Sequence, residues 1–167
     1  MADVVRSEIA MDDGAVQPLL ECDGVSVSFP RYGAASAEAL REVNLTIRRG
    51  EVLGLVGESG SGKTMLARAI MRLIPQPGEI TAGTVRFEGR DLGALDEEAL
   101  RRMRGRDIAM IISNPRGELD PLQTVGQQIG NVLRHHLNLD RKEVRERALY
   151  LLKHFSILDP QRRMDAY

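Results

Sequence analysis

The chain has 167 residues, 43% of them hydrophobic, 28% charged and 4% aromatic. That balance suits one globular domain or a piece of a larger one, and it excludes collagen, low-complexity disorder and a disulfide scaffold. Lys and Arg number 23 against 24 Asp and Glu, for a formal net charge of -1, so no global field draws the protein to nucleic acid or to an acidic membrane surface. The single cysteine, Cys22, has no partner for an internal disulfide. It reads as a small buried hydrophobe and favours a reducing compartment. The longest apolar runs, such as Ile108 to Ile112, fall far short of the roughly 18 residues that a transmembrane helix needs.

Residues 1–18 mix acids, Gly14 and scattered apolar side chains without a basic start leading into an apolar stretch, and so predict a flexible tail and no secretion signal. Val25, Val27 and Phe29 then alternate with polar residues, as do Val43, Leu45 and Ile47. This period of two predicts two half-buried strands, with a loop over Pro30 to Ser36 between them. Glu51 to Gly57 is apolar on both faces, the pattern of a parallel strand at the centre of a sheet. Met65 to Leu73 favours helix, and Pro75, Pro77 and Gly78 stop it. Thr84 to Phe87 predicts a short strand, Asp96 caps a small basic helix running towards Arg104, and Asp107 to Ile112 predicts another strand. Asn114 to Pro121 reads as a loop. In the helical remainder Val125, Ile129, Val132 and Leu133 share one face, and Val144, Ala148, Leu151, Leu152 and Phe155 share another. Asp140 followed by Glu143 has the spacing of a capping box.

Gly57-Glu58-Ser59-Gly60-Ser61-Gly62-Lys63-Thr64 fits the pattern of glycine, four residues and Gly-Lys-Ser/Thr, placed between an apolar strand and a helix. Glycines let the backbone curl until successive amides point into one concavity, and the following helix adds its positive end, so phosphate oxygens are held by main chain. Lys63 reaches the terminal phosphates as a flexible point charge, and the Thr64 hydroxyl is placed to ligate the magnesium that accompanies a nucleotide. The bland alternative is a glycine-rich turn with a surface lysine, and both flanks weigh against it. The loop alone does not distinguish ATP from GTP. The run Arg101, Arg102, Arg104 and Arg106 has no interleaved aromatic residue and reads as a solvated helix face, so nucleic acid is not an expected partner.

Three stretches together resemble the ATP-binding subunits of ABC transporters, in particular those of the dipeptide, oligopeptide and nickel importer group. They are LLECDGVSVSF at Leu19 to Phe29, LREVNLTIRRGEVLGLVGESGSGKT at Leu40 to Thr64, and NPRGELDPLQTVGQQI at Asn114 to Ile129. The closing DPQRRMDAY, Asp159 to Tyr167, resembles the family segment that leads into the signature motif. The resemblance implies an α/β fold, the P-loop NTPase core of an ABC ATPase. It carries an N-terminal antiparallel β region and a partial α-helical subdomain, with the C-terminal part of the core missing. The organisation expected is a tail over 1–18, a β-rich nucleotide-binding core over 19–113 and the start of a helical subdomain over 114–167.

The resemblance further implies a nucleotide-binding set of Phe29, Gly57, Glu58, Ser59, Gly60, Ser61, Gly62, Lys63, Thr64 and Met65, with Lys63 as the catalytic residue. Phe29 takes the position that stacks on adenine, with Tyr32 as runner-up; the alternative, that Phe29 simply ends a strand facing the core, stays open. ATP and Mg2+ are the implied cofactors. Transmembrane permease subunits, a second ATP-binding subunit and, indirectly, a solute-binding receptor are the implied partners, at the cytoplasmic face of the plasma membrane.

Two departures qualify this. Ser113 stands where the family has a glutamine that touches magnesium and the attacking water; as a metal-site residue beside Thr64 its hydroxyl is too short for the same direct contacts and acts only through a water. Gln123, Gln127 and Gln128 read as loop and helix-surface residues. The signature motif, the acidic strand with the catalytic glutamate and the late histidine are expected beyond Tyr167, and His135, His136 and His154 read as ordinary helix residues. A chain so composed is expected to expose apolar strand edges. The expected function is the ATP-binding component of a peptide-type importer; the alternative is a non-hydrolysing nucleotide-binding or interaction module.

Overall fold

The extra residue that Gly24 inserts into a long strand decides how the first sheet is built. In the computed structural model, which describes residues 3–6 and 17–167, strand β2 runs over Leu20–Arg31 and β3 over Ala34–Ile47. Leu20 and Cys22 are buried, and so are Val25 and Val27, a change of parity that a strict period of two forbids. A register shift between Cys22 and Val25, with Gly24 at φ +59°, makes it possible. Strand β5, Glu79–Phe87, pairs antiparallel with β2 on its other side and carries β6, Arg90–Asp91. The sheet order is β3-β2-β5-β6.

The predicted loop over Pro30 to Ser36 is a tight hairpin instead. The strands extend to Arg31 and from Ala34, and Gly33 at φ +70° closes the turn. Strand β4, Leu53–Val56, pairs antiparallel with β1, Asp3–Arg6, so part of the segment expected as a tail is a strand; residues 7–16 lie outside the described residues. The expectation of a central parallel strand at β4 is corrected. Its ladder among the described residues is antiparallel, and Val52 and Val56 are 75% and 56% exposed. Apolar residues on both faces favour burial but do not choose a partner strand.

Helix α1, Lys63–Ile70, follows the glycine-rich loop, and α2, Glu97–Met103, begins at Asp96, whose carboxylate accepts from the Ala99 amide at 2.8 Å. Leu40, Leu45, Leu66, Ala69, Val85, Phe87, Leu92, Leu100 and Met103 join the buried residues of β2 in the core of this unit. Arg104 does not lie on a solvated face. Only 17% exposed, it donates to the carbonyl oxygens of Met71 and Arg72.

The chain divides into two compact units, Met1–Arg104 and Gly105–Tyr167. The predicted strand at Asp107 to Ile112 is absent from the second. The Gly105 amide donates to Ile108 at 2.8 Å in a turn, and Ile111 is exposed with no ladder to bury it. Helices α3 (Val125–Leu137), α4 (Arg141–His154) and α5 (Pro160–Met164) pack around Leu133, Val144, Ala148, Leu152 and Met164. Gly126 and Gly130 let the helices approach; a Cβ at Gly126 would lie 2.8 Å from Met164. Val132 and Phe155, placed on the buried faces by periodicity, are exposed. The capping box of Asp140 and Glu143 forms in full, and a second, formed by Thr124 and Gln127, begins α3.

Candidate functional site

The loop between β4 and α1 is shaped by backbone conformations that side chains resist. Gly60 and Gly62 take φ +84° and +94°, and a Cβ on Gly62 would also stand 2.9 Å from both the Ala39 carbonyl oxygen and Leu40 Cδ2. Conformation and close approach to β3 both demand glycine there. The Ser61 amide donates to Glu58 at 3.2 Å, and the Leu66 amide to Gly62 at 2.8 Å, which starts the helix. The first turn of α1 carries no acidic residue, so nothing on it opposes an anion at its positive end.

Lys63 folds back over this loop. Its Nζ donates to the carbonyl oxygens of Gly57 and Glu58, each at 2.6 Å, and to Ser61 Oγ at 3.1 Å. The ammonium therefore sits over the loop, a cation held in place by the loop's own carbonyls and Ser61. Thr64 is exposed and Met65 half-buried in the first helical turn. A groove of about 1110 Å³ opens beside the loop, bounded by Ser61, Gly62 and Lys63 on one side and by β3 residues including Ser36, Glu38 and Arg41 on the other.

Structure thus brings together Gly57 to Met65 within one loop and helix start. Phe29 does not line the groove. Its half-buried ring packs where a Cβ on Gly78 would be, 2.5 Å from Cε1, while the Tyr32 ring at the hairpin tip is fully exposed. Ser113 is exposed in the second unit. Among the described residues no group of three or more His, Cys, Asp and Glu could hold a metal ion.

Sequence reasoning missed the organisation of the loop after Ser113. Gln128 Oε1 accepts from the Asp120 amide at 3.1 Å, and its Nε2 donates to the carbonyls of Asp120 and Gln123. Gln123 in turn donates to Asp120 Oδ2 at 2.6 Å. The Leu122 amide and then the Gln123 side chain hold the Asp120 carboxyl below its ordinary value. Read as surface glutamines, Gln123 and Gln128 are instead the latch of this loop. Asp120 before a proline, followed by amides at this spacing, was the available signal.

Residues 40–167 match the ABC transporter family. The chain is 42% identical over 158 residues to the peptidoglycan transport ATP-binding protein YejF of Agrobacterium fabrum, covering 94% of this chain and 29% of that protein. It is 40% identical over 153 residues to the oligopeptide transport ATP-binding protein OppD of Bacillus subtilis, covering 91% and 42% respectively. A dimeric ATP-binding cassette, MJ0796, in a post-hydrolysis state bound to ADP and Pi superposes with a TM-score of 0.70 at 24% identity, over 88% of this chain and 60% of that one. The two folds are alike, α/β. The chain belongs to the ABC transporter family. It spans less than half the length of these curated relatives, 29% and 42%.

Proposed function

We propose that this chain is the phosphate-binding part of the ATP-binding component of an ABC importer for peptides or related small solutes. The observation that carries it is the curled loop Gly57–Thr64 with the Lys63 ammonium held over it by three hydrogen bonds. Phosphate oxygens accept from the loop amides, and Lys63 neutralises the terminal phosphates. ATP with Mg2+ is the nucleotide form that suits this loop. Magnesium keeps several waters and takes few protein ligands, which agrees with the exposed Thr64 hydroxyl and with no carboxylate cage among the described residues. Bound there, the ion would screen charge between phosphates.

Coupling to transmembrane permease subunits, pairing with a second ATP-binding subunit and a peripheral position on the cytoplasmic face of the plasma membrane belong to this proposal, supported by the family match and by a relative named for oligopeptide transport. No described helix is long and apolar enough to cross a membrane. Phe29 holds the position that the family resemblance gives to the adenine-stacking aromatic, but its ring lies outside the groove. The packing of its ring against Gly78 favours Tyr32 as a second candidate, and base affinity in F29A against Y32A separates them.

Titration with Mg-ATP tests the proposal. The protein binds, and Lys63→Ala weakens binding at least ten-fold, the loss of about one charge-assisted contact; no heat from the unaltered chain would sink the reading. Ser113 favours a second reading, in which the nucleotide is bound but turned over slowly, because a serine reaches a magnesium-bound water only through another water. Ser113→Gln then raises hydrolysis in the assembled transporter, and an unchanged rate removes this second reading.

A further inference from the structure

We propose that Glu38 reads the ribose hydroxyls of the nucleotide and that Arg41 is the residue positioning its carboxylate; the proposal rests on the phosphate-loop reading above. The groove beside Lys63 follows β3, and the positions along that strand come in a fixed order. The loop touches β3 at Ala39 and Leu40, through Gly62. Glu38 comes next, opposite Ser28 in the ladder, and both line the groove; Ser36 lines it further on. The groove runs along β3 in both directions from the contact at Ala39 and Leu40, from Ser36 to Leu45. A strand advances about 3.3 Å per residue, and with the base directed to the hairpin, where the exposed Tyr32 stands, the sugar of a nucleotide gripped at Gly62 falls before Glu38.

A lone carboxylate beside a triphosphate is repelled by it. Arg41 offsets that charge: its Nε donates to Glu38 Oε2 at 2.7 Å, and its terminal nitrogen donates to the same oxygen. Both bonds use Oε2, and Oε1 has no hydrogen-bond donor among the described residues. An ionised carboxylate oxygen only accepts, which matches the hydroxyl donors of a ribose and gives nothing to a 2′-deoxyribose. Glu38 is half exposed, 48%, so the discrimination is modest.

The experiment titrates the full chain with Mg-ATP and with Mg-2′-deoxyATP, for the unaltered protein and for Glu38→Ala, Glu38→Gln and Lys63→Ala. The unaltered chain prefers ATP by about 3- to 10-fold, the effect of one hydrogen bond to a charged group in a wet site. E38A binds both nucleotides alike, E38Q keeps part of the preference through its amide oxygen, and K63A weakens both while preserving the ratio. The ratio is the readout, because removing a negative charge raises affinity for any triphosphate. A preference that persists in E38A, or none in the unaltered chain, overturns the ribose contact and leaves the phosphate loop standing. Binding of neither nucleotide by the unaltered chain overturns both.

Discussion

Arg104 donates from Nε to the carbonyl oxygen of Met71 at 3.0 Å and from a terminal nitrogen to that of Arg72 at 3.2 Å. It thereby satisfies the end of α1, the helix that begins at Lys63, at a point where Arg72 turns to φ +54°. The same guanidinium bonds Glu97 in the first turn of α2. Arg104→Ala leaves two partly buried carbonyls without these donors and lowers stability by about 1 to 3 kcal/mol. The midpoint of urea unfolding falls while the slope holds; an unmoved midpoint contradicts the assignment.

Gly83 of β5 crosses the Gly24 bulge so closely that a Cβ on it would meet the Gly24 carbonyl carbon and oxygen at 2.4 Å, and its φ is +80°. Clash and strain add. Gly83→Ala costs about 2 kcal/mol or more. Gly89→Ala, with φ +75° but no contact nearer than 3.6 Å, carries strain alone and costs less. Equal losses in thermal melts of the two variants would show that the crossing is loose.

Burial, and to a lesser degree the charge of Glu21, pushes the Cys22 thiol up to about 11 from 9.0. The unfolded chain releases this proton first. The thiol's contribution to stability is therefore complete below pH 9 and is lost as pH rises towards 11. Stability measured across that window falls more steeply in the unaltered protein than in Cys22→Ala. Native Cys22 also reacts with iodoacetamide at pH 8 far more slowly than after urea unfolding. Parallel slopes, or equal rates, would place Cys22 at the surface.

Asp120 has the opposite sign. Its carboxyl is held below the ordinary 3.8 by the Leu122 amide and the Gln123 side chain, so its hold on the loop is complete above that pH and is lost as pH falls through the lowered value. The Leu122 amide stays protected from hydrogen exchange at pH 5 and loses protection under stronger acid. Asp120→Ala removes the protection at pH 6 too. Exchange that ignores the substitution would mean that Gln128 alone holds the loop.

Much of this was legible along the chain. Asp96 and Asp140 announced their helices because a cap needs only a side chain three residues from the amide it satisfies. Gly57 to Thr64 announced its loop because the conformations required of Gly60 and Gly62 exclude other residues. The hairpin at Tyr32–Gly33, the change of parity at Gly24 and the latch of Gln128 on Asp120 were not legible. Each depends on a partner brought close from another strand or turn, and no local periodicity records it.

By itself the sequence determined the composition class, the caps, the phosphate loop and, by likeness, the family, since these rest on residue type and short spacing. Only the tertiary structure decided that β4 pairs with β1, that Phe29 packs on Gly78 while Tyr32 stands free in solvent, and that Glu38 follows Gly62 along one groove. Pairing and packing are choices among distant surfaces of similar polarity, and their energies exist only when the chain has brought those surfaces together.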